Sequence, residues 1–239
     1  MPAIIEKPDT DTVTISYFSD VLCIWAYIAQ IKLDQIKKQF GSQVIIQHHF
    51  LSVFGNTNEK IGNGWHDRNG YLGYSEHTKN IASQFDHINL HSKTWHTVRP
   101  PSSTGCHLFL KAVQLFQDNA ANESEKIPAN NNLVEKAAWL CRLAFFRDAL
   151  NIAEIDVQLK IASQLELPIA DIRHLIDNGT AYAALHSDQE LKSKYLLEGS
   201  PTFTLNHGRQ KLYGNVGYKI IEANIHEILQ QPQHRASWC

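Results

Sequence analysis

Thr12-Val-Thr-Ile-Ser-Tyr-Phe18, followed at once by Ser19-Asp-Val-Leu-Cys-Ile-Trp-Ala-Tyr27, is the stretch on which the fold turns. Its first half is rich in β-branched and aromatic side chains and reads as a strand over 12–18. From Ile24 onward the apolar positions change spacing. Ile24, Tyr27 or Ile28, Ile31, Gln35 or Ile36, and Phe40 recur every three or four residues, which predicts a helix over 24–40 that stops at Gly41. Val44-Ile-Ile-Gln-His-His-Phe50 repeats the strand character. Two strands joined by a helix predict a parallel βαβ unit.

Working outward, residues 55–197 look helical wherever they are periodic. Their polar tracts, 56–73 with its Gly and Asn and 117–132 with Pro128, are expected to be exposed loops. Asn132 followed three residues later by Glu135 predicts a capped helix start, with Leu133, Ala137, Leu140, Ala144 and Phe145 as its apolar stripe. Further helices are expected over 157–165, 170–177 and 181–195, with Gly179 as a left-handed cap. Strand character returns at 202–205 and 210–213 around a Gly-containing turn at 206–208, and a closing helix is expected over 218–230. The order βαβ, helical insertion, ββα predicts an α/β protein whose sheet is split by a helical lid, divided at 1–54, 55–197 and 198–239.

The 239 residues are 43% hydrophobic and 19% charged, which excludes disordered, fibrous and membrane classes. Twenty-two Lys and Arg against 24 Asp and Glu leave a net charge of -2 without a basic run, so no nucleic-acid partner is expected. No signal-like stretch and no run near the ~18 apolar residues of a membrane span is present, so no membrane partner and a cytoplasmic location are expected. Asn122-Glu-Ser and Asn178-Gly-Thr then match the glycosylation pattern by chance. The 13 histidines include His87 and His91, expected one turn apart on a helix, but no ligand set accompanies them and no metal is expected. His48 and His49 on a strand point to opposite faces. Neither Gly-rich segment fits a nucleotide loop, so no bound cofactor is expected. Trp65, Tyr71, Tyr74 and Trp95 either line a cleft or pack the helical part.

Four cysteines, Cys23, Cys106, Cys141 and Cys239, are too few and scattered for a disulfide scaffold. Cys23 lies where the first strand gives way to a helix, and backbone N–H groups there favour a thiolate. A buried structural cysteine fits the same position. Pro201 opens the 202–205 strand, where it costs no ladder bond, and its peptide isomer is not legible.

Together, Asp20-x-x-Cys23-x-Trp25-x-Tyr27 and Gly199-Ser-Pro201-Thr-Phe203 resemble the active-site segments of the DsbA-like thioredoxin superfamily. More narrowly the chain resembles the FrnE-type branch, related to 2-hydroxychromene-2-carboxylate isomerase and kappa-class glutathione transferase. The resemblance implies a thioredoxin-like fold contributed by 1–54 and 198–239, with 55–197 as the inserted helical domain. It also implies a cis bond at Pro201, a Ser200 backbone facing the active-site sulfur, and Cys23 as nucleophile. Trp25, Tyr27, Ser200, Pro201 and His107 are the implied substrate-binding residues. Ser102-Ser-Thr-Gly-Cys106-His107 is similar to the family's Asn-Thr-x-x-Ala-His stretch, which places Cys106 and His107 near Cys23.

Where FrnE-type oxidoreductases have Cys-Pro-Trp-Cys, this chain has Cys23-Ile-Trp-Ala26. Without a second thiol there, a mixed disulfide must be resolved by glutathione or by a remote cysteine, Cys239 or Cys106, while Cys141 reads as core. The leading expectation is a thiol-disulfide oxidoreductase acting on thiol or disulfide substrates, with glutathione as a cosubstrate and a homodimer left open. The alternatives are a glutathione-dependent isomerase or transferase, and a non-catalytic binding module.

Overall fold

The computed structural model describes residues 12–122 and 132–230. β1 (Val13–Ser19) runs parallel to β2 (Val44–Phe50), in register from Val13↔Val44 to Ser19↔Phe50. On its other side β1 pairs antiparallel with β3 (Thr202–Leu205), and β3 with β4 (Gln210–Tyr213), giving the order β2-β1-β3-β4. The split sheet is therefore present, its central strand supplied by the stretch that opened the sequence.

Period-two alternation assigns the faces of β1. Val13, Ile15 and Tyr17 are buried against Leu33, Ile36 and Phe40 of α2 (Gln30–Phe40) and against Ile221 and Ile225 of α9 (Tyr218–Leu229). Phe18, on the opposite face, packs with Leu51 and Leu197. The helix expected over 24–40 is two: α1 (Ile24–Ile28) and α2, separated at Ala29. There the Lys32 amide joins the Leu33 amide on the Ala29 carbonyl, so one carbonyl serves two turns.

The insertion is carried by α3 (Gly70–Ala82), α4 (Thr104–Asn122), α5 (Leu133–Arg142), α6 (Ile155–Gln164), α7 (Ile169–Asp177) and α8 (Thr180–Lys194). The Asn132 cap is as expected, its side chain accepting the Glu135 amide at 3.0 Å. Glu135 in turn receives Gln30 at 2.7 Å and Lys37, which fastens α5 to α2. Gly179 has φ +87° between α7 and α8.

Three expectations need correction. Residues 56–73 are largely exposed as expected, with only Thr57 and Ile61 buried, but they are wound into a π-turn (Asn58–Asn63), a 3-10 turn (His66–Arg68) and the start of α3. Their glycines permit tight winding and not a loose loop: a Cβ on Gly73 would lie 1.7 Å from the Arg68 carbonyl. The 117–132 tract is helical to Asn122, and Gln117 reaches across to accept the Leu133 amide at 2.7 Å; 123–131 lie outside the described residues. His87 and His91 share no helix, because α3 ends at Ala82. His87 instead donates to the Ile28 carbonyl at 3.0 Å.

One buried ion pair clamps the insertion to the sheet. Asp188 of α8 accepts the Phe50 amide at 2.7 Å and Lys111 of α4 at 2.7 Å through one oxygen, and meets His49 Nδ1 at 2.8 Å with the other. It thereby satisfies the end of a strand that has no neighbour on its outer side among the described residues. Asp188→Ala strands the Lys111 ammonium and the Phe50 amide in the interior, so a loss of about 3–5 kcal/mol is expected in chemical denaturation. A loss under about 1 kcal/mol would show that the pair does not hold the two parts together.

Candidate active site

β1 ends at Ser19, and the next three residues form a turn held by their own aspartate. Asp20 Oδ1 accepts the Leu22 amide at 2.8 Å, and the Asp20 carbonyl accepts the Cys23 amide at 3.1 Å. The other oxygen, Oδ2, accepts the Phe54 amide and the Ser103 hydroxyl, both at 2.8 Å. The Asp20 amide donates to Ser200 Oγ at 2.8 Å. One fully buried residue thus joins the ends of β1 and β2, the start of α4 and the approach to β3.

Cys23 is the N-cap of α1, its carbonyl accepting the Ala26 and Tyr27 amides at 3.1 Å. Its sulfur donates to the Ser200 carbonyl at 3.3 Å, across a cis Ser200–Pro201 bond. That juxtaposition joins residues separated by 177 positions. Cys23 is only 6% exposed, and burial pushes its thiol above the ordinary value. The Ser200 side chain and the Ala26 and Trp25 amides pull the other way, and the Asp20 charge adds to the rise. The thiolate expected from the helix start is therefore outweighed by desolvation: the one-and-a-half turns of α1 offer too little compensation.

The structure separates the other candidate residues. Trp25 is half-buried and stands edge-on to Phe85 with ring centres 6.3 Å apart. Ser200 and Pro201 border the sulfur. Tyr27, expected at the substrate, is buried instead: its ring stacks on Phe146 at 4.9 Å and its hydroxyl donates to the Asn89 carbonyl at 3.3 Å. His107 is also a correction, since it is wholly buried beneath the turn, where Nε2 accepts the Val21 amide at 3.3 Å and Nδ1 faces Ser52 Oγ at 3.4 Å. Burial lowers its pKa, so the ring is a neutral support for the turn. Cys106 lies in the first turn of α4 but turns into the core, in the same buried cluster as Cys141. Cys239 lies outside the described residues.

Sequence reasoning named Asp20 within a motif but missed its role, and missed Ser52, Ser103 and Arg142. An aspartate three residues before a cysteine at a strand end is the one local signal, that of a side chain closing its own turn. Arg142 is fully buried and donates to Ser19 Oγ at 2.9 Å, at the strand end itself. Trp95 is buried and the other three aromatics half-buried, in one cluster against Phe54 and Phe145.

A parallel βαβ unit, an antiparallel ββα unit, a cysteine capping the first helix and a cis-proline facing it define a thioredoxin-fold protein. The chain belongs to the DSBA-like thioredoxin domain family, whose model matches residues 14–226. Its fold is similar to that of a Nitrosomonas europaea protein provisionally assigned as a protein disulfide isomerase, with 13% identity, a TM-score of 0.72, and coverage of 92% of this chain and 99% of that one. It is also similar to the cytosolic disulfide reductase DsbM from Pseudomonas aeruginosa, solved with GSH, at 19% identity, a TM-score of 0.63 and coverage of 89% and 99%. A 2-hydroxychromene-2-carboxylate isomerase matches at 13% identity, a TM-score of 0.63 and coverage of 94% and 100%. No curated protein sequence matches the chain. Among the described residues no helix is long and apolar enough to cross a membrane.

Because only the thiolate is alkylated, the raised thiol sets a pH dependence. Alkylation of Cys23 in the folded protein, followed by peptide mapping, should climb without a plateau through pH 9.0, the ordinary thiol value. The same cysteine in the denatured chain should reach half its maximal rate there and level off about one pH unit higher, where the folded protein is still climbing. A plateau near neutral pH in the folded protein would contradict the assignment of burial as the dominant influence.

Proposed function

We propose that the chain is a thiol-disulfide oxidoreductase that works through Cys23 alone, in a monothiol cycle completed by glutathione. The observation that carries this reading is the 3.3 Å approach of the Cys23 sulfur to the Ser200 carbonyl beside a cis-proline, within a DsbA-like fold. The Ser200 backbone aligns an extended substrate, while Trp25 and Pro201 border the sulfur.

In the first step Cys23 loses its proton to solvent and its sulfur attacks a substrate disulfide. The substrate S–S bond breaks, one thiolate leaves and takes up a proton, and a mixed disulfide remains on Cys23. Glutathione thiolate then attacks the substrate sulfur of that adduct, releasing Cys23 and giving a substrate–glutathione disulfide. A second glutathione attacks this disulfide, so the net reaction consumes one disulfide and two glutathiones and yields two thiols and glutathione disulfide. Ala26, fully buried, supplies no competing sulfur. A thiol raised by burial is also a poor leaving group, so the adduct on Cys23 should be long-lived. Resolution by Cys106 would require α4 to open, since its sulfur is held in the core with Cys141. A cycle run on glutathione belongs to a reducing compartment, the cytoplasm.

The second reading is a glutathione-dependent isomerase or transferase, favoured by the same raised thiol. A Cys23 that stays protonated can hold the sulfur of bound glutathione without being oxidised.

Intact mass and peptide mapping after exposure of the reduced protein to glutathione disulfide test the first reading. A single glutathione adduct on Cys23, removed by excess glutathione, is the expected result; an unmodified Cys23 would overturn it. Cys23→Ser should abolish disulfide reduction entirely, whereas an isomerase or transferase activity would survive it.

A further inference from the structure

The cluster of aromatic rings behind the active-site turn carries cations that the proposed chemistry does not use. Lys60 Nζ lies 5.2 Å from the centre of the Phe54 ring, the Arg68 guanidinium 3.7 Å from Trp65, and that of Arg99 4.7 Å from Tyr71. The rings beneath them are continuous: Phe54 and Tyr71 both stack on Trp95, at 5.7 and 6.4 Å, and Tyr74 links Trp95 to Trp65 at 5.6 and 5.0 Å. All three cations are exposed, and none has a carboxylate partner among the described residues. The nearest acids along the chain are engaged elsewhere: Glu59 accepts from Asn63 at 2.9 Å, and Asp67 meets His66 at 3.2 Å.

This cluster is tied to the turn that carries the reactive sulfur. The Phe54 amide is bonded to Asp20, the residue that closes the Cys23 turn. Tyr74, half-buried between the cations' rings, feels the charges of both Cys23 and Asp20. Among the described residues the Tyr74 hydroxyl has no hydrogen-bond partner of its own. A cation seated on a ring face is partly ordered before any ligand arrives and keeps donors pointing outward, so carboxylate capture there costs less side-chain entropy. In a chain whose net charge is -2, three cations without a carboxylate partner among the described residues on one platform are a local departure, Arg99 giving only its Nε to the His96 carbonyl at 2.8 Å.

We infer that Lys60, Arg68 and Arg99, on their aromatic platform, recognise carboxylates flanking the sulfur of an acidic peptide disulfide. The inference rests on the reading of Cys23 as the exchanging thiol and names the substrate class of that site. A peptide extended along Ser200 advances about 3.4 Å per residue, and the inference assigns the recognised carboxylates to side chains a few residues from its sulfur.

The test uses peptide disulfides of equal length whose sulfur is flanked by acidic, neutral or basic residues, with glutathione disulfide as the smallest acidic case. Thiolation of Cys23 should be about tenfold faster with the acidic peptide than with the neutral one, and slower still with the basic one. Lys60→Gln, Arg68→Gln and Arg99→Gln together should erase the preference. Raising the salt on the unaltered protein should weaken it as well, a measurement that needs no variant. Charge dependence shared by glutathione disulfide would identify the tripeptide as sufficient; dependence confined to the longer peptide would identify a protein segment. Equal rates for all peptides, or a preference untouched by the triple substitution, would overturn the inference while leaving thiol exchange intact. Binding of the S-methylated acidic peptide separates the two readings: if the unaltered protein holds it and the triple variant does not, yet Cys23 is never thiolated, the platform stands and the exchange reading falls.

Discussion

A buried carboxylate is tolerated only when nearly every lone pair is occupied, and the arrangement around Asp20 follows from that constraint. Its two oxygens take the Leu22 amide, the Phe54 amide and the Ser103 hydroxyl, while its own amide finds Ser200. Each partner comes from a different part of the chain. Satisfying this one residue, side chain and amide together, therefore assembles the exit of β1, the exit of β2, the start of α4 and the cis-proline segment. His107 completes the support from below by accepting the Val21 amide. The same requirement explains why two residues near the cysteine face inward: in so closed a corner the polar atoms of the turn itself take the buried positions.

Closing that corner has an electrostatic consequence. Desolvation and a nearby carboxylate both favour the neutral thiol of Cys23, and the short α1 offers few oriented amides to oppose them. A second cysteine would have supplied a nearby sulfur; Ala26 supplies none. Under the proposed function, such a site suits a slow, persistent bond to a thiol partner more than rapid dithiol cycling. The fold itself does not dictate this, since the same framework carries reductases and isomerases.

Much of the framework was legible from residues alone. β1, β2 and β3 lie where the β-branched and aromatic runs are, β4 follows its Gly-containing turn, Asn132 caps as its spacing with Glu135 implied, and Gly179 holds a positive φ between two helices. Strands and caps announce themselves because they depend on neighbours in sequence. The candidate site was legible only as a pair of motifs, around Cys23 and Pro201, whose meeting, the Cys23 sulfur 3.3 Å from the Ser200 carbonyl, is set by sheet pairing. The directions of Tyr27, His107 and Cys106 depended on bodies packed from elsewhere: Phe146, the Asp20 turn and Cys141. Apolar periodicity says which face of a helix is covered and not what covers it. Likewise the Gly- and Asn-rich 56–73 segment looked like loop by composition, yet those residues serve the tight turns that seat the aromatic cluster.

The Asp20 junction also orders events in time. Its partners at Ser103 and Ser200 follow Cys23 in the chain by 80 and 177 positions, so a growing polypeptide presents the cysteine long before the residues that enclose it exist. During synthesis Cys23 is an ordinary solvated thiol, more readily ionised than in the finished molecule. Burial by segments made later is what quiets it, so folding here lowers the chemical vulnerability of that thiol.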